Sequence, residues 1–334
     1  MRTEAAAAEA LHIGTLRIAP ALMLAPMEGV TDRCFRGLII ETNGPGTVGA
    51  ACTEFLRVTE HALPFARIRA EIADHRWPEV AIGVQIMGNR ETAVAESAVV
   101  AAEAGAAYVD LNFGCPAPRV FQHCAGSALL ADPPRLARLV RATVDACAGR
   151  LPVTAKIRAG IESDSGLVEI ARRIADAGAA ALTVHARLRT DSYEDPARWE
   201  RIARAKAAVR IPVIGNGGAD SPAAIVRMRA ETGCDAVMVG RGALADPWIF
   251  RALAALHAGN RHPPPSAAAR LQWVRAYAAR MEEGGATPLQ ALGRAKQALK
   301  AAARAGHLPS AAVRAALRSP RLEEALALAA ESAA

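Results

Sequence analysis

From residue 22 to residue 239 the chain alternates short apolar runs with stretches of helical period, and this alternation restricts its fold more than any other feature. The runs cover residues 22–25, 48–55, 81–87, 107–112, 153–157, 181–185, 213–215 and 236–239. Most are nearly continuously apolar, as strands are when both faces of their sheet are covered. Amphipathic stretches such as 90–104, 134–148 and 165–177 lie between them. Gly105, Gly178 and Gly233 stand where a helical stretch gives way to the next run, a position that favours glycine because the backbone turns left-handed there. Eight strands joined by helices predict an α/β chain closed into a (β/α)8 TIM barrel over residues 16–255. The rival is an open doubly wound sheet, which carries a G-x-G-x-x-G turn after its first strand. Here that position reads Ala25-Pro26-Met27-Glu28-Gly29 instead.

After Asp246-Pro247-Trp248 the texture changes. His262 and the three prolines that follow it read as a linker, and helical segments then cover 267–283, 288–305 and 311 to the end. They predict a small helical domain over residues 266–334, while residues 1–15 are expected to be frayed. The charge divides at the same place. Residues 251–334 hold 12 Lys and Arg against 5 Asp and Glu, the whole of the net +7, which leaves 28 of each sign in residues 1–250. A neutral body with a basic tail suggests a polyanionic partner, although a merely solvated helical surface has the same charge. No run approaches the roughly 18 apolar residues of a membrane span, and the start lacks the pattern of a signal peptide. The six cysteines form no C-x-x-C pair. A cytoplasmic monomer without a metal site is expected, with most cysteines as buried free thiols.

The chemistry of such a barrel sits at the C-terminal ends of its strands. The Gly-rich turns Gly215-Asn216-Gly217-Gly218 and Gly240-Arg241-Gly242 follow the last two barrel strands, where barrels of this kind bind phosphate. Arg241 can add a bidentate contact. Lys156 and Gln85 lie inside apolar strands, where an unpaired charge or amide is costly. They suit the edge of a planar heteroaromatic ring, or else are a snorkelling lysine and a satisfied core amide. His185 ends the sixth run, with Arg187 two residues on; it suits a phosphate or a base edge, and equally a packed histidine. Cys115 sits in Asn112-Phe113-Gly114-Cys115-Pro116, a tight loop that lifts the thiol out of the core. A thiol is mostly protonated at neutral pH and can donate a proton, though an inert buried thiol also fits that position.

Seven motifs in order resemble those of the tRNA-dihydrouridine synthases. Residues 25–32 (APMEGVTD) are similar to the family's opening motif, and 111–116 (LNFGCP) to its cysteine loop. Residues 126–130, 153–158, 184–187, 215–217 and 239–243 match later motifs, so the likeness covers about residues 21–251 and, more weakly, the tail. The resemblance implies an FMN-binding TIM barrel that uses NADPH to reduce uridine in tRNA, with a helical domain that holds the tRNA. It implies that Pro26, Met27, Glu28, Gln85, Lys156, His185, Asn216, Gly217, Gly218, Gly240 and Arg241 contact FMN. It implies Cys115 as the proton donor, with Asn112 and Arg187 at the target base. Lys296, Lys300 and Arg304, spaced i, i+4 and i+8, would form a positive stripe for the tRNA backbone. Residues 53–58 (TEFLRV) and Leu63-Pro64 are similar to the branch acting on uridine 16 of the D-loop. The sequence departs from the common pattern at Glu28, Arg119 and Ala186. Three other readings compete: a flavin barrel reducing a free pyrimidine, like dihydroorotate or dihydropyrimidine dehydrogenases; a non-catalytic RNA-binding barrel; and an aldolase-type barrel with Lys156 as a Schiff base.

Overall fold

In the computed structural model, which describes residues 10–73, 77–122, 124–192 and 194–330, the apolar runs become the staves of a closed barrel. The strands are β1 (Leu11–Ile13), β2 (Leu16–Ile18), β3 (Leu22–Leu24), β4 (Ala50–Cys52), β5 (Leu56–Arg57) and β6 (Ala81–Met87). They continue with β7 (Tyr108–Phe113), β8 (Val153–Arg158), β9 (Ala181–His185), β10 (Val213–Asn216) and β11 (Ala236–Val239). Parallel pairing runs β4-β3-β11-β10-β9-β8-β7-β6, and β6 pairs back to β4. The ring is therefore closed, with eight staves, and the open doubly wound sheet is excluded.

Side-chain parity decides what the ring encloses, because successive residues of a strand point to opposite faces. On β7 the apolar set is Val109, Leu111 and Phe113, and on β8 it is Val153, Ala155 and Ile157; both join the large outer core. The other parity carries Tyr108, Asp110 and Asn112 on β7, and Thr154, Lys156 and Arg158 on β8. The lower interior is apolar: Tyr108, Met23, Cys52, Ile214 and Met238 cluster there. A Cβ on Gly83 would lie 2.3 Å from the Tyr108 ring, so glycine at that position is what admits the ring. The upper interior, towards the C-terminal ends, is polar.

Three expectations need correction. The frayed start does not reach residue 15: β1 and β2 form an antiparallel hairpin whose Leu11, Ile13 and Ile18 join the inner apolar cluster and close the barrel floor. Within that expected stretch, residues 1–9 lie outside the described residues. The run 48–55 does not stay one strand. It leaves the sheet after Cys52 and returns as β5 beside Ile86 and Met87, because Thr53 turns its hydroxyl to accept the Gln85 N–H at 3.0 Å. The last segment is two helices, Ser310–Ala316 and Leu322–Ala330. Pro320 has no N–H to continue the first, and Ser319 accepts the Arg321 N–H instead.

The tail helices Ala267–Glu283 and Pro288–Arg304 are packed on the barrel rather than merely tethered to it. Phe35, on the helix Arg33–Asn43, meets Trp273 and Tyr277 edge-on, at centroid separations of 5.9 and 5.5 Å. The polar tips of both partners are satisfied across the joint: Trp273 Nε1 donates to Thr42 Oγ1, and Tyr277 Oη to Asp32 Oδ2, each at 2.9 Å. Arg270 pairs with Asp246 and Arg280 with Glu41. One hydrophobic core runs through both units.

Candidate active site

The polar interior forms a connected floor beneath the barrel mouth. Strand register places Gln85 beside Asp110, Asp110 beside Thr154, and Asn112 beside Lys156. Asp110, almost wholly buried, accepts from Gln85 Nε2 and from Thr154 Oγ1, both at 2.7 Å. Gln85 Oε1 in turn accepts from Asn112 Nδ2 at 2.7 Å. Asn112 Oδ1 accepts the backbone N–H groups of Gly114 and Cys115 at 3.0 and 2.9 Å. The cysteine loop thus rests on the amide of the strand that leads into it.

Cys115 is buried against Met87, Ala125 and the half-buried Phe55 and Ala117. Burial pushes its thiol above the ordinary value of 9.0, and the nearby Glu28 carboxylate adds to that, while the Ala117 N–H and the Arg158 charge act against it. The side chain is therefore a thiol, not a thiolate, throughout the neutral range. The loop is held from both sides. Ser127 Oγ donates to the Cys115 carbonyl at 2.7 Å, and Arg158 donates from Nε to Gly114 O at 3.0 Å and from Nη1 to Leu188 O at 2.7 Å.

Lys156 stands on the inward face of β8, 9% exposed, with Nζ 3.0 Å from Asn216 Oδ1. Burial lowers its pKa from 10.5 to about 8, against the opposing pull of Asp110. Asn216 is oriented by its other end, since Nδ2 donates to Met238 O at 2.8 Å. The snorkelling alternative is excluded, because the ammonium is inside. His185 faces the same space and is held neutral: burial comes first, and the charges of Lys156, Arg158, Arg187 and Arg241 add to it. Its Nδ1 accepts the Arg187 N–H at 3.3 Å, which leaves the proton on Nε2. The ring can donate from Nε2 but does not act as a cation.

The glycines lie at the rim. Gly217 and Gly218 have φ of +102° and +76°, and a Cβ on Gly217 would lie 3.4 Å from the His185 ring. Gly242 lets the turn after β11 approach the turn after β10, where its Cβ would come within 2.7 Å of Ala219 O. A Cβ on Gly240 would lie 3.2 Å from Met27 Sδ. The two turns and the Pro26-Met27 loop are thus brought together around one space, with the exposed Arg241 beside them. Glu28 is exposed as well, and its charge acts on Cys115. Arg187 is buried, its Nε donating to Asp195 O at 2.8 Å. The side chain of Arg119 lies outside the described residues.

The helix Pro288–Arg304 runs beside this mouth. Arg294, half-buried, reaches Asp32 at 3.6 Å and Glu54 at 3.9 Å, and Arg304 reaches Glu194, in the loop after β9, at 3.8 Å. Lys300 and Arg304 are exposed and Lys296 is half-buried on that helix. Asp110, Arg158 and Arg294 were not singled out in the sequence. For Asp110 and Arg158 a signal existed: polar residues recur at every second position of β7 and β8, the mark of an enclosed polar interior. Arg294 offered none, since its partners are about 240 to 260 residues away.

A family model described as dihydrouridine synthase matches residues 23–321. The tRNA-dihydrouridine synthase B of Xanthomonas axonopodis pv. citri is 41% identical over 260 residues, 77% of this chain and 76% of that protein. The tRNA-dihydrouridine(16) synthase of Cupriavidus necator is 38% identical over 249 residues, 72% and 75% of the two chains. The enzyme of the same name from Pseudomonas putida is 35% identical over 281 residues, 83% and 86% of the two chains. Among solved structures, histamine dehydrogenase from Rhizobium sp. 4-9 superposes with a TM-score of 0.61 at 14% identity, over 82% of this chain and 51% of that one. That likeness concerns the fold alone, and this chain spans only about half of that protein.

Proposed function

This chain belongs to the dihydrouridine synthase family, and from that premise we propose that it reduces uridine to 5,6-dihydrouridine in the D-loop of tRNA, at position 16. FMN is the cofactor in this reading and NADPH the reductant. The observation that carries it is a protonated thiol loop and a glycine-rimmed cationic cleft at one barrel mouth, with a basic helix alongside.

The residues fit FMN. Gly217, Gly240 and Gly242 let the rim turns close on His185, Met27 and Ala219 more tightly than a Cβ would allow, and a cradle of such glycine turns suits a phosphate approached by backbone N–H groups. Gly217, Gly218, Gly240 and Arg241 would hold that phosphate, and His185 would donate to it from Nε2. Lys156, Asn216 and Gln85 supply charge and amides for a flavin ring edge, and Pro26 and Met27 a wall. When bound and reduced, FMN supplies the hydride that saturation of the uracil C5–C6 bond requires.

The chain supplies the rest. Lys156 offers positive charge inside the barrel, where a low dielectric strengthens it. Cys115 gives the proton: its S–H bond breaks as C5–H forms, and the thiolate, near Arg158, is reprotonated from solvent. A thiol raised by burial is in the right form for this at neutral pH. Asn112 keeps one amide hydrogen beyond its bond to Gln85, and Arg187 lies across the same mouth; both are assigned to the uracil edge. The uridine leaves its stack to enter, and contacts in the pocket offset that cost. Lys296, Lys300 and Arg304 contact phosphates, which positions the tRNA without reading its sequence.

The test separates binding from turnover. Cys115→Ala should keep flavin absorbance and tRNA affinity while losing at least about a hundredfold in uridine reduction, the low end for a general acid. Near-normal turnover on intact tRNA would remove Cys115 from its role.

A further inference from the structure

Of the buried charges among the described residues that take no part in the reaction as described, one is a carboxylate. It is Asp110, and it stands at the root of the hydrogen-bonded chain that ends on the thiol loop. We propose that Asp110 is a positioning residue for the reduction. Its carboxylate fixes the direction of every amide between it and Cys115, and so sets where the thiol stands. This rests on the reading of Cys115 as proton donor.

The donors and acceptors leave one direction. A carboxylate only accepts, whereas Gln and Asn side chains carry an acceptor at one end and donors at the other, and can be turned over. Asp110 is enclosed, and both of its oxygens are engaged: Oδ1 by the Thr154 hydroxyl and Oδ2 by Gln85 Nε2. Gln85 must therefore present its nitrogen to Asp110, which turns Oε1 towards Asn112. Asn112 must then answer with Nδ2, which turns Oδ1 towards the loop. Only an oxygen at that place can receive the N–H groups of Gly114 and Cys115. With a donor in place of Asp110, each amide would be free to reverse, and the last would set an NH2 against two N–H groups. Charge keeps the first link one-way. Burial raises the Asp110 pKa, while the Gln85 and Thr154 hydrogen bonds and the Lys156 charge oppose that and favour the ionised form.

The chain predicts its own rescue. Asp110→Asn is isosteric but can reverse the direction. Asn112→Asp alone sets two acceptors, the new carboxylate at position 112 and Gln85 Oε1, against each other. Together, the two changes restore a complete chain running the other way. The amide at 110 donates to Gln85 Oε1, Gln85 Nε2 donates to the carboxylate at 112, and that carboxylate still accepts from Gly114 and Cys115. The net charge is unchanged, and the carboxylate stays next to Lys156, its register neighbour.

The experiment follows alkylation of Cys115 by iodoacetamide across pH 7 to 10, read by peptide mass spectrometry so that the exposed Cys124 is counted separately. In Asp110→Asn the Cys115 rate should rise by about tenfold, the equivalent of losing one to two net hydrogen bonds, and its pH midpoint should fall towards that of an ordinary thiol. In the double variant both should return to within about twofold of the parent, a non-additivity that independent structural damage does not produce. Effects of the two substitutions that simply add would overturn the proposal, as would a parent-like rate in Asp110→Asn. If Asp110→Asn does not fold, the double variant decides alone: folding with a parent-like rate supports the reversed chain, and failure to fold or a raised rate overturns it. Alkylation does not depend on turnover. If Cys115→Ala keeps its turnover while the double-variant cycle behaves as described, the assigned chemistry fails and the positioning chain stands.

Discussion

Replacing Lys156 with Met should make the flavin-free protein more stable at neutral pH and worse at holding FMN. Burial lowers the Lys156 pKa from 10.5 to about 8, a depression of about 2.5 units, or roughly 3 kcal/mol at 1.36 kcal/mol per unit. The folded state carries this as a penalty wherever the lysine is charged. Methionine removes the charge while filling similar space. The substitution strips Asn216 Oδ1 of its donor, a loss of about 1 to 3 kcal/mol for a buried acceptor. The net change lies between about zero and 2 kcal/mol in favour of the variant. The pH dependence identifies the cause. Between about pH 8 and 10.5 the unfolded chain binds the lysine proton and the folded chain does not, so parent stability should rise with pH across that window. From pH 7 to 9.5 this contributes about 2 kcal/mol, which the Met variant should lack. Urea unfolding of both proteins at the two pH values, with FMN titrations alongside, reads all three effects. A variant destabilised by more than about 2 kcal/mol at pH 7 with unchanged FMN affinity would refute the reasoning, because Lys156 would then be a structural ion rather than a poised ligand.

FMN affinity of the parent should weaken as pH rises through about 8, by at most about tenfold per pH unit, as Lys156 loses its proton; fluorescence titration of FMN across pH 7 to 9.5 measures it. Gly242→Ala should impair cofactor binding, since its Cβ would meet Ala219 O at 2.7 Å and Asp220 Cα at 2.9 Å and force the two rim turns apart; retained FMN with normal affinity would argue against the cradle. Lys296→Glu with Lys300→Glu should weaken tRNA binding, flatten its salt dependence and leave the flavin spectrum intact, as filter binding at several salt concentrations would show. Trp273→Ala should cost about 3 to 5 kcal/mol in thermal or urea unfolding, by emptying the joint where Phe35 and Tyr277 meet it.

Much of the architecture was legible because periodicity is local. Residues 81–87, 181–185 and 236–239 are strands with the bounds expected of them, and the tail helix Ala267–Glu283 begins and ends as its pattern indicated. What escaped was decided by distant partners or by short elements. Leu11–Ile13 and Leu16–Ile18 are too brief for a pattern, and only the barrel floor they plug gives them order. The strand expected over 48–55 breaks because Thr53 serves the neighbouring strand with its side chain. The helix break near Ser319-Pro320 did have a local signal, a proline, which a long run of alanine obscured. Within the site, Cys115, Lys156, Asn216 and the rim glycines were visible as residue types in unusual places. Asp110 was visible only as part of the polar alternation of its strand; its role was not, because a carboxylate's worth there lies in which end of Gln85 faces it, and that is set across three strands.

Where dihydrouridine appears in tRNA bears most directly on the proposed activity. Map it at nucleotide resolution in tRNA from cells that have, lack or carry the Cys115→Ala form of this protein. One D-loop position, 16, should be reduced only when the parent protein is present. Dihydrouridine unchanged at every position on its removal would contradict the assignment, as would full restoration by Cys115→Ala.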